Sequence, residues 1–327
     1  MLLTIREAIS MGLKEALNNN DNCFIMGEDI GDYGGAYSIT KGFLEEYGKE
    51  RIIDTPISES AIIGAGCGAA LAGMKPIVEI MSINFTLLAM DQIVNNIAKL
   101  NYLSNGQMKV PIIIRTVTGG GGQLSSTHSQ SLEHWYASVP GLIVVNPSNA
   151  YDALGLLRTS IRSEDPILFV EHGMIYRNTS EVPEEYYEIP FGQANTLESG
   201  EDITIISYSR MACVSLEVSE ILKKEYNLSS DVIDLRTLSP LDSESMIKSV
   251  KKTGNVVIIE EAHKTGGFSG ELTSIIQEEC FDYLDSPIIR VCSEDIPIPY
   301  SKGLEDIIIP NAQTAIKQII NKLNIKI

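Results

Sequence analysis

One repeated alternation constrains this chain more than any other feature. Short β-branched runs stand at 23–26, 77–80, 112–116, 142–146 and 167–171. Helix-like segments at 4–18, 60–72, 86–102 and 150–163 separate them. Runs as apolar as Ile112-Ile113-Ile114 need cover on both faces. The alternation therefore predicts a parallel sheet with helices on either side. Residues 178–200 break the pattern with Pro183, Pro190, several glutamates and few aliphatics, a linker composition. The alternation then resumes, with strands expected at 203–208, 231–234, 256–260 and 288–292 and helices at 211–226, 243–251 and 270–283. The fold class is α/β, with two parallel-sheet domains over 1–185 and 186–327. A length of 327 residues suits two cores, since domains commonly run about 100–150 residues.

The net charge of -18 repels phosphates and argues against a nucleic-acid partner. It is compatible with a basic protein partner, or with solubility alone. The five cysteines, Cys23, Cys67, Cys213, Cys280 and Cys292, form no CxxC pair. That argues against a disulfide framework or zinc site and for a reducing compartment. Arg6 and Glu7 interrupt the apolar start, unlike a signal peptide. No run of about 18 apolar residues is present to span a membrane. A soluble, cytoplasmic protein is expected.

Asp54-Thr55-Pro56-Ile57-Ser58-Glu59-Ser60 is the most informative stretch. Pro56 forces a turn, and Glu59 falls where a helix should start. Gly64, Ala65, Gly66, Gly68, Ala69 and Ala70 follow, small enough to admit another backbone. Glu59 is either an acid/base near a helix N-terminus or a favourable first-turn residue. Gly64-x-Gly66-x-x-Ala69 formally matches a dinucleotide fingerprint, but 57–63 is a poor buried strand and helix packing explains the glycines better. Gly119-Gly120-Gly121-Gly122 follows the 112–116 run, where ligands dock in open α/β sheets. A flexible turn is the alternative. His128 lies just beyond, in a polar segment, and histidine moves protons near neutral pH. Glu260-Glu261-Ala262-His263 ends a predicted strand. It fits an interface or a site equally well.

Together these residues resemble one family, the β subunits of the pyruvate, acetoin and branched-chain 2-oxo acid dehydrogenases, which are transketolase-like. The markers are Met26-Gly27-Glu28-Asp29, Arg51 through Glu59, Asp91-Gln92-Ile93-Val94-Asn95, Ala98-Lys99, Val110-Pro111 to Arg115, and His128-Ser129-Gln130-Ser131. Tyr208-Ser209-Arg210-Met211 and Glu294-Asp295-Ile296-Pro297-x-Pro299-Tyr300 complete the set. The resemblance covers nearly the whole chain. It implies a thiamine pyrimidine-binding domain followed by a transketolase C-terminal-like domain.

The resemblance also implies roles. The glutamate matching Glu59 contacts N1′ of the thiamine aminopyrimidine and promotes removal of the C2 proton. The activated cofactor attacks the keto carbon of a 2-oxo acid, pyruvate being favoured, and carbon dioxide leaves. The acyl fragment passes to a lipoyl group on the acyltransferase subunit. Ile57 and Phe85 match cofactor-binding positions, Phe85 stacking on the aminopyrimidine. His128 matches a histidine of the substrate and lipoyl channel. Glu28 matches an acidic residue of a proton path between two active sites. Backbone carbonyls of Ile112, Ser160, Ile161, Ser163 and Asp165 match a potassium site.

The Gly-Asp-Gly segment that holds Mg²⁺ and diphosphate in thiamine enzymes is missing, since Gly31-Asp32 is followed by Tyr33. The Mg²⁺ half is therefore expected from an α subunit, in an α₂β₂ assembly. The family's usual Arg-Gly-Pro is replaced by Arg115-Thr116-Val117-Thr118 and four glycines. That leaves acetoin, branched-chain and biosynthetic relatives open. The rival readings are an inactive scaffold and a nucleotide-binding oxidoreductase.

Overall fold

The computed structural model describes residues 1–323. The chain forms two compact units that are interleaved in sequence. The first is Met1–Thr118 with Trp135–Phe191 and Leu238–Pro240. The second is Gly119–His134 with Gly192–Thr237 and the chain from Leu241 onward. The sequence pattern predicts a single division, near residue 185. It gives the glycine loop to the first stretch and 238–240 to the second.

A seven-stranded sheet organises the first unit. From edge to edge its strands are Ile52–Asp54, Cys23–Gly27, Lys75–Ile80, Ile113–Thr118, Ile167–His172, Ile143–Val145 and Thr237–Ser239. The first six are parallel. Strand Cys23–Gly27 is buried throughout, as are Ile167–His172 and, except for Val117, Ile113–Thr118. Helix Ile5–Asn19 opens on a capping box, in which the Glu7 amide donates to Thr4 Oγ1 and the Thr4 amide to Glu7 Oε2. Its buried stripe of Ile5, Ile9, Leu13 and Leu17 packs against helix Ala150–Arg162.

The second unit has a five-stranded sheet in the order Ile289–Ser293, Val256–His263, Ile203–Ser207, Ser230–Asp234, Asn195–Glu198. Four strands are parallel and Asn195–Glu198 is antiparallel. Ile205, Val218, Val232, Val257, Ile259 and Ile319 share its core.

Three expectations are corrected. No single helix spans 86–102. A 3₁₀ helix Phe85–Ala89, a π-helical turn Gln92–Ile97 and one α turn Leu100–Leu103 replace it. Side chains compete with the helical ladder there. Thr86 Oγ1 donates to the Ile83 carbonyl, and Asn96 Nδ2 to the Asp91 carbonyl five residues back. The 178–200 linker is partly sheet, because Thr179–Glu181 pairs antiparallel with Leu2–Thr4 and Asn195–Glu198 edges the second sheet. The first sheet also gains an unpredicted strand, Thr237–Ser239, whose Ser239 Oγ donates to the Leu142 carbonyl.

A buried ionic cluster joins the three central strands of the first sheet. Arg115 grips Glu171 with Nε to Oε1 at 2.7 Å and Nη2 to Oε2 at 2.9 Å. Its Nη1 reaches Glu79 Oε2 at 2.7 Å. Tyr176 adds its hydroxyl to Glu171 Oε2 at 2.6 Å. Burial pushes the Glu79 carboxyl above the usual range despite Arg115. Glu171 takes two guanidinium nitrogens and the Tyr176 hydroxyl and Glu79 a single nitrogen, so the charge of Glu79 is the less needed. Glu171→Gln should lose about 3–5 kcal/mol in urea unfolding, since it leaves a buried guanidinium half-paired. Glu79→Gln should lose at most about 1 kcal/mol. Equal losses would contradict this division of roles.

Candidate functional site

Chain geometry makes Glu59 unusual. Strand Ile52–Asp54 ends, Pro56 turns the chain, and Ser58 is the N-cap of helix Glu59–Leu71 with no side-chain capping bond. Glu59 is the first helical residue and is 5 % exposed. The helix dipole favours a carboxylate there, and its burial keeps water from the group. Ile57, two residues earlier, is 81 % exposed. A buried carboxylate thus stands beside an uncovered apolar side chain.

The turn is anchored from behind. The Asp54 carboxylate accepts from the amides of Gly31 and Asp32, at 2.7 and 3.4 Å. The Thr55 amide donates to the Gly27 carbonyl. Glu28 follows that glycine and lies within the electrostatic reach of Glu59. Burial first, and then the Glu59 charge, push the Glu28 carboxyl upward, against a hydrogen bond from the Ser58 backbone. A carboxyl whose charge is disfavoured, beside a second carboxylate, can pass a proton to it.

The 3₁₀ helix Phe85–Ala89 packs on the Glu59 helix, so Phe85, half-buried, belongs to the same neighbourhood. Glu28, Ile57, Glu59 and Phe85 all lie in the first unit. The helix packs inward through Gly66, where a Cβ would lie 2.8 Å from Val78 Cγ2 and 2.9 Å from Ile112 Cδ1. The formal dinucleotide fingerprint is therefore mid-helix packing. Around the outward face run Ser60, Ala61, Ala65 and Gly68, all exposed, and a Cβ on Gly68 would meet nothing within 4 Å.

Four of the five carbonyls expected to hold potassium already have donors. Ile112 accepts from the Ile167 amide and Ser160 from the Ser163 amide. The Lys75 ammonium donates to the Ile161 carbonyl at 3.1 Å. Ser163 Oγ and the Asp165 carbonyl are 3.5 Å apart. The donors are hard oxygens of the right class, but an ammonium already provides a positive charge at Ile161. The fit to a cation is incomplete. Among the described residues, no three His, Cys, Asp or Glu side chains converge as a metal site. No helix among them is long and apolar enough to cross a membrane.

His128 lies in the second unit and is exposed, with Nδ1 2.8 Å from Thr127 Oγ1. Three amides of the glycine loop region before it are taken by carboxylates. Gly120 N donates to Glu261 Oε1, and Gly121 N and Gln123 N to the two oxygens of Glu305. Neither a ligand dock nor a flexible turn describes it. Of the Glu260-Glu261 pair, Glu260 accepts from the amides of Phe268 and Ser269, at the start of helix Phe268–Cys280, and from Tyr208. Sequence reasoning missed Glu305, because nothing near Leu304-Glu305-Asp306 distinguishes it from a surface residue.

Comparison with known proteins identifies the fold and the family. The family model described as transketolase, pyrimidine binding domain, matches residues 2–179, and transketolase, C-terminal domain, matches 192–314. The pyruvate dehydrogenase E1 component subunit beta of Rickettsia felis is 42% identical over 319 residues, 98% of either chain. The mitochondrial subunit of Saccharomyces cerevisiae is 41% identical over 329 residues, covering 99% of this chain and 90% of that one. A solved split gene transketolase, an inactive β4 tetramer, superposes with a TM-score of 0.78 over 99% of both chains. Its 22% identity bears on the fold alone. With that fold and this extent of identity, the chain belongs to the family of pyruvate dehydrogenase E1 component β subunits.

Proposed function

We propose that this chain is the β half of a thiamine-diphosphate-dependent pyruvate dehydrogenase, paired with an α subunit as α₂β₂ and passing acetyl groups to a lipoyl acyltransferase. One observation carries the reading: a buried carboxylate, Glu59, at a helix start beside exposed Ile57, with Phe85 packed nearby. That is a half-site suited to an aminopyrimidine.

Bound thiamine diphosphate supplies the electron sink for decarboxylation. The chain's own residues do the rest on this side. Glu59 holds the proton at the pyrimidine N1′, protected from water by its burial. Phe85 and Ile57 offer apolar surface to the ring. Glu28, with its carboxyl raised by burial and by Glu59, stands next to that carboxylate as a proton relay. The diphosphate and its Mg²⁺ belong to the α subunit in this reading. No step is routed through potassium, given Lys75 on the Ile161 carbonyl. The small outer face of the Glu59 helix suits close approach by the α chain. The charge of -18 suits a basic docking segment of the acyltransferase.

The test is decarboxylation of pyruvate with thiamine diphosphate and Mg²⁺, by this chain alone and by the co-expressed pair. The pair should turn over and the single chain should not. In the pair, Glu59→Gln should lower kcat by about 10²–10⁴-fold, the usual contribution of a positioned acid/base. A pair that binds cofactor but ignores pyruvate moves the substrate to another 2-oxo acid. A pair that binds no cofactor leaves only a scaffold.

A second expectation concerns the outer face. Gly68→Leu should leave this chain folded, or stabilise it by about 0.5–1 kcal/mol through helix propensity. It should weaken association with the α subunit at least tenfold in analytical ultracentrifugation. Unchanged association would remove this face from the α/β contact.

A further inference from the structure

The tetraglycine loop is the part of the chain that the half-site does not use. It runs through backbone that L residues rarely adopt. Gly119, Gly121, Gln123 and Ser125 have φ of 85°, 98°, 57° and 69°. Two of these are not glycine, and such residues keep a left-handed conformation only where their surroundings impose it. Here the surroundings are two carboxylates from far along the chain. Glu305, on helix Lys302–Ile308, is fully buried and accepts from Gly121 N at 2.7 Å and from Gln123 N at 3.1 Å. Glu261, 8 % exposed, accepts from Gly120 N at 2.7 Å. Arg210 closes the arrangement, with Nη1 3.3 Å from the Gly120 carbonyl and 3.7 Å from Glu261 Oε2.

The pinned end of the loop is tied to the segment bearing His128. Gly119 N donates to the Gln130 carbonyl at 3.2 Å. A Cβ on Gly120 would lie 3.4 Å from Cβ of the buried Ser129 and 2.6 Å from Ile309 Cδ1, so Gly120 packs closely between that serine and the segment after the Glu305 helix. His128 is the residue before Ser129, and its amide donates to the Ser125 carbonyl. Displacing 120–123 therefore displaces 128–130. All of these groups belong to the second unit.

We propose that Glu305 and Glu261 are positioning residues, which clamp the tetraglycine loop by its amides and so fix His128 for transfer of the acyl group to the lipoyl acceptor. A row of loop amides at a strand end would otherwise attract an anionic ligand. The two carboxylates fill it from within. The loop is then a strut, and its selectivity acts through the placement of His128. The inference rests on the reading of His128 as a residue of the acyl-transfer channel.

The test uses the assembled α/β enzyme and separates two steps. Decarboxylation alone is followed with an artificial electron acceptor, and acyl transfer with lipoylated acyltransferase domain. Glu305→Gln keeps the size of the side chain. Its amide group, however, turns a donor towards one of the two loop amides. Glu305→Gln should lower acyl transfer by about tenfold or more, change decarboxylation less than twofold, and speed hydrogen exchange at Gly121 and Gln123. Glu305→Asp, which keeps the charge, should recover part of the loss. Combining Glu305→Gln with His128→Asn should cost no more than His128→Asn alone. Equal loss of both steps, additive losses, or unchanged acyl transfer in Glu305→Gln while His128→Asn is impaired would overturn the clamp. If His128→Asn itself transfers acyl groups normally, the reading of His128 fails, and the clamp's proposed purpose fails with it. Faster exchange in Glu305→Gln would still report the hydrogen bonds.

Discussion

The first unit depends on one guanidinium. Arg115 sits 1 % exposed in the middle strand of a parallel sheet, holding a carboxylate from each neighbouring strand. Such strands have no hairpins to set their register, and a slip by one residue would turn every side chain to the other face. Glu79 lies opposite Arg115 in the ladder, while Glu171 lies opposite Val117, two residues further on. Only one alignment lets both carboxylates reach the same group. The cost of burying three ionisable groups is thus set against fixing the strands whose ends carry the site. Gly27 pairs with Asp54 on one side and Glu79 on the other, so this alignment extends to the turn holding Glu28 and Glu59.

Much of the fold was legible because it follows from local burial. Strand Ile167–His172 and helix Ile5–Asn19 announce themselves through apolar runs and a 3.6-residue stripe. Segment 86–102 misled for the opposite reason. Its apolar spacing is helical, but Thr86, Asp91 and Asn96 give the backbone other partners. Thr237–Ser239 is too short to signal a strand, and only the sheet edge beside Ile143–Val145 defines it.

The candidate site divides in the same way. Glu59 was visible because proline, carboxylate and small residues follow one another within a few positions. Resemblance added Glu28, Ile57 and Phe85, which no local pattern singles out. Arg115 stood out only as a family marker, with no hint of its two carboxylates. Glu305 was invisible, since its meaning lies in amides more than 180 residues away. Long-range polar pairs leave no periodic trace in a sequence.

The interleaving of the two units has a consequence for synthesis on the ribosome. Residues Gly119–His134 emerge early but belong with chain made much later. At roughly 5–20 residues per second, the stretch from His134 to Glu305 takes on the order of 10 s to appear. During that time the glycine loop has no carboxylate to hold it. The first sheet likewise waits for its edge strand. A nascent chain cut near residue 185 would hold neither unit whole. Each unit is therefore completed only by chain made after residue 185, although the sequence reads as two successive domains.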